Sequence, residues 1–333
     1  MLRIAQVVVL IAIVVASAWW LVQDLDWAVV SATVASANPL YLLGVVLLLG
    51  VNHVARSLRI GALIEAPIGN WDLLRISAVA FLAIQLIPFR LGEFVRPQLL
   101  VRHGVPFGEG LGAIAVDRVL DILMLLGLMG IVAFVVPLPA NAIEVNGIDV
   151  VAAGQRASAV AVTIAGLGMG ALAVAGRPIQ AWVSTLPWMG PTAGRLVSGL
   201  VDSFQRLGHR PASGFIALAW SMLSWTSTIA LVWAAQHAFP AIPTALTVSL
   251  VLWTSIITAM SAVHTPGFFG TFEAASVAAL ALFGTDPTTA KAFALVFHLV
   301  MFAFAVAIAV GSMLSMRLSF DDLRPPNPQS SPL

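Results

Sequence analysis

Long apolar runs separated by short polar stretches dominate the pattern of this chain. Six of these runs have the length, about 20 residues, that a helix needs to cross a bilayer. They span residues 4–22, 40–63, 109–136, 157–175, 212–239 and 288–314. The pattern predicts an all-α polytopic membrane protein with about six full transmembrane helices.

Two further apolar segments are interrupted by residues that break helices. The first, at about 73–102, contains the apolar run 73–87, and the second, at about 244–283, contains the run 274–283. Both runs are too short to span a bilayer, and each lies next to a stretch with proline and glycine, which disfavour helix. We expect each segment to enter the membrane and return to the same side as a re-entrant helical hairpin.

Loop charges orient these segments, because short cytoplasmic loops collect Lys and Arg. The loop 176–210 has four Arg and one Asp and is predicted to lie inside, whereas 137–155 has two acidic and no basic residues and is predicted outside. Arg3 and Arg317 place both termini in the cytoplasm. These assignments agree if the first hairpin enters from the cytoplasm and the second from outside.

The order of helices and hairpin occurs twice along the chain, and the second copy has the opposite orientation in the membrane. We assign the first repeat to residues 1–175, with a boundary near 137–156, the second to 157–317, and a disordered tail to 318–333. Inverted repeats whose broken helices meet near the midplane are a transporter architecture. The run 4–22 is longer than the h-region of a signal peptide, about 7–15 residues, so we expect it to be retained.

Composition limits the class of protein further. The chain is 60% hydrophobic and 9% charged, with a mean hydropathy of +0.99, whereas soluble proteins carry about 25% charged residues. A soluble fold is therefore excluded. The chain has no cysteine, which excludes disulfides, thiolate metal sites and a cysteine nucleophile. A net charge of +1 indicates no nucleic-acid partner, and no cofactor or metal site is predicted.

Three polar groups interrupt the apolar pattern and form the candidate substrate-binding site. Non-helical backbone at membrane depth persists where it is buried in protein or lines a wet cavity, so both hairpin tips are predicted to face a central polar cavity. The candidate residues are Arg90, Gly92, Glu93, Arg96, Asp117, Arg118, Asp121, Pro266, Gly267, Gly270 and Glu273.

The chemistry of the first tip favours a phosphate. The guanidinium groups of Arg90 and Arg96 match phosphate in a bidentate way. Gly92 and Gly270 would let the backbone approach a ligand closely. The free N–H groups at the start of a half-helix also bind anions.

The carboxylates have several open roles. Glu93 and Glu273 would pair with the arginines, bind a cationic headgroup or carry protons. Asp117 and Asp121 are four residues apart and share a helix face. With Arg118 between them, they form a polar patch that would face the same cavity.

Structural interpretations of these residues stay open. Arg90 and Glu93 would form an internal pair that closes the hairpin, and the patch around Arg118 would anchor its helix at the cytoplasmic interface. Arg56 and Arg59 are interpreted as anchors that extend to the membrane surface. For the membrane histidines, His53 and His298, hydrogen bonding within the core is the expected role.

The polar groups together resemble a known family. Three motifs occur in order: Pro88-x-x-x-Gly92-Glu93-x-x-Arg96, then Asp117-Arg118-x-x-Asp121, then Pro266-Gly267-x-x-Gly270-x-x-Glu273. They resemble the flippase-like integral membrane family related to the transmembrane region of lysylphosphatidylglycerol synthases. The resemblance covers about 40–314 and includes Arg56 and Arg59.

The resemblance implies a bacterial inner-membrane protein that moves a phospholipid or isoprenoid-linked lipid between leaflets. No soluble aminoacyl-transferase domain follows in this sequence, so we expect a transporter of a lipid made elsewhere, not an enzyme. No Gly-x-x-x-x-Gly-Lys-(Ser/Thr) nucleotide motif is present. Two alternatives remain: an intramembrane enzyme that modifies lipids or polyprenyl-linked sugars, and an accessory partner of a lipid-synthesising enzyme.

Overall fold

The computed structural model describes residues 26–136 and 209–318 continuously, and isolated positions between them at 144–145, 148–149, 160, 167, 175–176, 178, 181–182, 185, 201–202 and 205. The predicted helix 4–22 lies outside the described residues. So do most of the predicted helix 157–175, most of the loop 176–210 and nearly all of the predicted tail.

Nine α-helices form the described part of the chain. They are α1 Trp27–Ser36, α2 Pro39–Leu63, α3 Asn70–Leu86, α4 Val95–Val101, α5 Phe107–Val135, α6 Pro211–Ala238, α7 Leu246–Ala262, α8 Thr271–Ala281 and α9 Pro287–Ser315. Two 3-10 segments, Pro88–Phe94 and Pro266–Phe268, connect α3 to α4 and α7 to α8. Strands β1 (Glu144–Val145) and β2 (Ile148–Asp149) pair antiparallel.

Four helices, α2, α5, α6 and α9, are long and apolar enough to cross a membrane. Their ends agree within two residues with the predicted runs 40–63, 109–136, 212–239 and 288–314. Local signals explain this agreement, since α2, α6 and α9 each begin at a proline, which is favourable at the first helical position. Asn38 and Asp286 also cap α2 and α9 through their side chains. The prediction of a helical membrane protein is confirmed.

Both predicted interruptions are present as breaks in a helix. We call Pro88–Phe94 the first break and residues 266–270 the second break. Gly92 packs so closely on the backbone of Ala83 that a Cβ would overlap it. In the second break, Gly267 and Gly270 have φ values of +64° and +83°, and Phe268 has φ +59°. Positive φ is strained for a bulky side chain, so the surrounding packing holds this conformation.

Helix α1 was not predicted. The acidic residues Asp24 and Asp26 predict an external loop after the run 4–22. Asp26 starts this helix by accepting hydrogen bonds from the N–H groups of Ala28 and Val29. Val30 is buried with Ala292, so α1 is fixed by its contact with α9.

The central contact of the fold is between α2 and α6, which pack along their lengths. Asn52 Nδ2 donates to the carbonyl oxygen of Ser224 at 2.9 Å and to Thr228 Oγ1 at 2.8 Å. On either side of this pair, α3 packs on α9, and α5 packs on α7. Helices from residues 26–136 and from residues 209–318 are therefore in direct contact, and a cavity lies between them.

Candidate functional site

A cavity of about 640 Å³ lies between the two groups of helices. Its wall contains residues from α2, α3, α5, α6, α7 and α9 and from both breaks. Much of the wall is apolar and includes Phe81, Phe94, Ile122, Trp253 and Phe304. The polar groups come mainly from α2, α5 and the first break.

Six ionic side chains form a connected cluster at this polar part of the cavity. We call Arg56, Arg59, Arg96, Asp117, Arg118 and Asp121 the arginine cluster. The charges come from three elements that are distant in sequence: α2, α4 and α5. Helix packing therefore assembles the cluster.

Arg59 lies at the centre of the cluster, and its side chain is 0% exposed. Its Nη2 lies 2.5 Å from Asp117 Oδ1, and its Nη1 lies 2.9 Å from Asp121 Oδ1. Nη1 also donates to Ser221 Oγ at 3.1 Å. A buried charge is costly unless it is paired, so the two aspartates keep this guanidinium in the core. The interpretation of Arg59 as a surface anchor is wrong, because its side chain is enclosed by protein.

Arg56, Arg118 and Asp121 line the cavity. Arg118 Nη2 lies 2.8 Å from Asp117 Oδ2 and 3.4 Å from Asp121 Oδ2, while Arg56 Nη2 lies 3.5 Å from Asp121 Oδ2. Trp225 Nε1 donates to Asp121 Oδ1 at 3.4 Å. Within the described residues, Nε of Arg56 and Nε of Arg118 have no hydrogen-bond partner. Both guanidinium groups therefore have donor capacity beyond their pairs with aspartate.

Arg96 contacts the cluster from α4 and is buried. Its Nη1 lies 3.8 Å from Asp117 Oδ2. The guanidinium groups of Arg96 and Arg56 lie 4.8 and 4.3 Å from the ring centroid of Phe81, within the range of cation–π attraction. Phe81 lines the cavity, so this ring connects two arginines to the wall.

The cluster and its surroundings carry an excess of positive charge. Glu93 lines the cavity and lies close enough to Arg118 to interact with it electrostatically. Arginine stays charged in proteins. When the four arginines and the three carboxylates of Glu93, Asp117 and Asp121 are ionised, one positive charge remains. This balance favours an anionic ligand.

A second ionic group lies at the second break. Glu273 and His298 are 1% and 4% exposed, and His298 Nδ1 lies 2.7 Å from Glu273 Oε1. The N–H of Gly270 donates to Glu273 Oε2 at 2.7 Å. The ring of His298 packs against Phe269 and Phe272, with centroids at 4.5 and 4.4 Å. Glu273 therefore pairs with a histidine, and of its three open roles the pairing with an arginine does not occur among the residues that the structure describes.

Three of the eleven predicted site residues lie in the wall of the cavity. Glu93, Arg118 and Asp121 line it, and Arg96 and Asp117 support it from within the protein. Arg90 lies in the first break, and its side chain is outside the described part of the structure.

The glycines act differently from the prediction. The close approach at Gly92 is to the backbone of Ala83, and the N–H of Gly270 is used by Glu273. Pro266 begins the 3-10 turn of the second break, and Gly267 is buried within it. In this structure, these residues shape the two breaks.

Several site residues were missed or given another role. Arg56 and His298 line the cavity, as does Asn52. A signal for Arg59 was available: two arginines in one predicted membrane helix and two aspartates in another are a complementary set. The expected core hydrogen bonds of the histidines are confirmed, since His53 Nε2 lies 3.1 Å from the carbonyl oxygen of Leu74 and His298 bonds to Glu273.

Comparison with known proteins finds one family and one curated relative. The family described as the lysylphosphatidylglycerol synthase TM region matches residues 6–309. Glycosyltransferase AglD of Haloferax volcanii is 26% identical over 263 residues, and the match covers 70% of this chain and 42% of AglD. The chain thus spans less than half the length of that relative. No solved structure matches the chain.

Proposed function

Because the chain belongs to the family of the lysylphosphatidylglycerol synthase transmembrane region, we propose that it moves a phospholipid or an isoprenoid-linked lipid between the two membrane leaflets. The observation that carries this proposal is the arginine cluster, which brings excess positive charge to a largely apolar cavity. A lipid headgroup with a phosphate has the matching charge, and its hydrocarbon chains match the apolar wall.

The phosphate is held by Arg118 and Arg56. Both line the cavity, and guanidinium groups bind phosphate oxygens in pairs. Arg96 and Asp117 hold these groups in position from behind, and Glu93 limits the excess charge. Arg90 follows Pro88 in the first break and is a further candidate for the phosphate.

The lipid chains stay in the bilayer while the headgroup enters. Phe94 and Ile122 line the cavity and are 42% and 51% exposed, so apolar side chains continue from the wall to the outer surface of the described helices. A cavity of about 640 Å³ is in the usual range for small ligands, about 300–1,000 Å³. It has room for a headgroup and the adjacent part of each chain.

Movement between leaflets uses an inverted repeat. One series of elements occurs twice, as α2 to α5 and as α6 to α9. Each series consists of a long helix, a 17-residue helix, a break, a short helix and a 29-residue helix. If each helix is replaced by the helix at the same place in the other series, the α3–α9 contact becomes the α7–α5 contact. Both contacts occur in the structure. Asn52 and Ser224, which bond to each other, lie equally far from the prolines that open α2 and α6.

These relations support a two-fold axis through the α2–α6 contact. Rocking of the two repeats about this axis would expose the cavity to each side in turn. In this proposal the two interrupted segments are re-entrant, both termini are cytoplasmic, and the protein lies in the inner membrane of a bacterium.

A second candidate function is the modification of a lipid-linked sugar, which the name of AglD favours. The cavity and arginine cluster would hold the lipid phosphate in the same way, with a partner enzyme or the chain itself acting on the sugar. Asp117 and Asp121 already bind Arg59, which disfavours them as acid or base. Function in the cell that is retained in an Arg90→Ala, Glu93→Ala double variant would favour an accessory role.

The test is leaflet exchange in liposomes that contain the purified protein. Fluorescent phosphatidylglycerol and a fluorescent isoprenoid phosphate are followed with a quencher that cannot cross the membrane. We expect Arg118→Gln to slow exchange by at least about tenfold, since a hydrogen bond to a charged group contributes about 1.5–3 kcal/mol. The matched control is Arg75→Gln, which removes a guanidinium that pairs with Asp72 on α3 and is expected to exchange at the wild-type rate.

Two results would contradict the proposal. One is a folded wild-type protein that exchanges no lipid of the panel. The other is equal slowing of lipid exchange by Arg118→Gln and Arg75→Gln, which would mean that exchange does not depend on the arginines of the cavity. Formation of a modified lipid in place of exchange would support the second candidate function.

A further inference from the structure

We propose that the Glu273–His298 pair is a proton-binding site that couples lipid movement to a proton gradient. This inference rests on the proposed function, because it assigns an energy source to the same cavity. The pair lies at the second break, and His298 borders the same cavity as the arginine cluster.

Burial restricts what can bind to this pair. Glu273 is 1% exposed, and both of its carboxylate oxygens are engaged, one by the N–H of Gly270 and one by His298. An amine of a lipid headgroup has no access to these oxygens while the contacts persist. His298 borders the cavity, and a proton needs only a water molecule at that border to reach the ring.

The position of the pair at a break connects protonation to structure. Glu273 lies in the first turn of α8 and holds Gly270, which has positive φ, through its backbone N–H. His298 is on α9 and packs between Phe269 and Phe272. Phe268, two residues before Gly270, is held at φ +59°. A change in the charge of the pair therefore acts on a strained segment and on two helices at once.

The helices that pack on α8 and α9 carry few other ionisable side chains. Helices α7 and α1, which pack on α8 and α9, contain no ionisable side chain. The remaining groups near α8 and α9 are Asp26 and Asp286, which cap α1 and α9, Asp72 and Arg75, which pair on α3, Tyr41, His53, Arg56 and Arg59 on α2, Lys291 on α9, and His264 beside the second break.

The Glu273–His298 pair binds and releases one proton in each cycle. With His298 neutral and Glu273 ionised, the ring donates its Nδ1–H to Oε1, and the pair carries one negative charge. A proton from cavity water then binds to Nε2, and the pair becomes a neutral ion pair of imidazolium and carboxylate. Release of this proton to water on the opposite side restores the first state.

The experiment compares lipid exchange at equal pH on both sides, over about pH 5 to 8, with exchange under a pH gradient. A pH-sensitive dye inside the liposomes reports proton movement. Glu273→Gln keeps an acceptor for Gly270 and a donor for His298 but cannot ionise, and His298→Gln removes the ring. His237→Gln is the matched control, because His237 lies on α6, packs on Tyr41 and Trp233, and does not border the described cavity.

We expect wild-type exchange to change with pH, by at most about tenfold per unit for one proton, and a gradient to favour one direction. His298→Gln is expected to exchange lipid without pH dependence and without directional bias, because it lacks the ring that takes the proton. Glu273→Gln, which removes the carboxylate that stabilises the imidazolium, is expected to weaken both effects, while His237→Gln behaves as wild type. Exchange by the wild type that ignores both pH and gradient would overturn the inference and leave the proposed function intact. Absence of exchange at every pH would overturn both. If Glu273→Gln and His298→Gln both fail to fold, the direction of wild-type lipid exchange under a pH gradient decides alone.

Discussion

At the scale of single residues, Arg59 determines whether the arginine cluster can form. Its guanidinium lies between Asp117 and Asp121 and has no solvent contact. Without it, Asp117 keeps Arg118 at 2.8 Å and Arg96 at 3.8 Å, whereas Asp121 keeps only the longer contacts with Arg118 at 3.4 Å and Arg56 at 3.5 Å. Removing Arg59 would leave two carboxylates in the core with weaker compensation.

The Arg59→Ala change is expected to lower the free energy of unfolding by about 3–5 kcal/mol, the usual cost of breaking a buried ion pair on one side. Thermal unfolding in detergent measures this cost. Arg75→Ala is the control, since Arg75 and Asp72 are partly exposed and such pairs contribute about 0–1 kcal/mol. Equal loss in both variants would show that Arg59 does not hold the core.

The residue-scale predictions succeeded where spacing along one helix was sufficient. Asp117 and Asp121 were predicted to share a face, and both bind the same guanidinium. That guanidinium lies 62 residues before Asp121 in sequence. Its partners depend on how α2 packs on α5, which spacing within one helix does not determine. The pairing of Glu273 with His298 has the same cause, because it depends on how α8 packs on α9.

At the scale of elements, each break is a property of a few residues. The four long helices that the structure describes were predicted to within two residues, because apolar length is a local signal and three of them begin at a proline. Helix α1 was missed because a ten-residue helix next to a long one gives no pattern of its own, and its contact with α9 stabilises it. The two breaks were predicted from proline and glycine, but the close packing of Gly92 on Ala83 became visible only in the structure.

We expect Gly92→Ala to displace the first break from α3, because the added methyl group overlaps the backbone of Ala83. Overpacking of this kind costs about 1–3 kcal/mol, and backbone cannot move aside as a flexible side chain can. Thermal unfolding and the rate of lipid exchange report the two consequences. Gly127→Ala on α5 is the matched control, since nothing lies within 4 Å of its added Cβ, and it should be neutral or stabilising. An unchanged Gly92→Ala variant would mean that the break does not need this contact.

At the scale of the whole molecule, the proposed mechanism depends on the opposite orientation of the two interrupted segments. A parallel repeat would place both breaks on the same side and leave no alternation between leaflets. The loop charges favour the inverted arrangement. Access to the ends of each segment from water distinguishes the two arrangements directly.

Single cysteines can report that access, because the chain has no cysteine of its own. Pro67 and Pro106 flank the first interrupted segment, Ala241 and Pro287 flank the second, and all four are exposed. In sealed vesicles of known orientation, we expect Pro67→Cys and Pro106→Cys to react with an impermeant thiol reagent from the cytoplasmic side. Ala241→Cys and Pro287→Cys should react from the other side. If the two members of a pair react from opposite sides, that segment crosses the membrane, and the polar breaks cannot meet from opposite faces as the transport proposal requires.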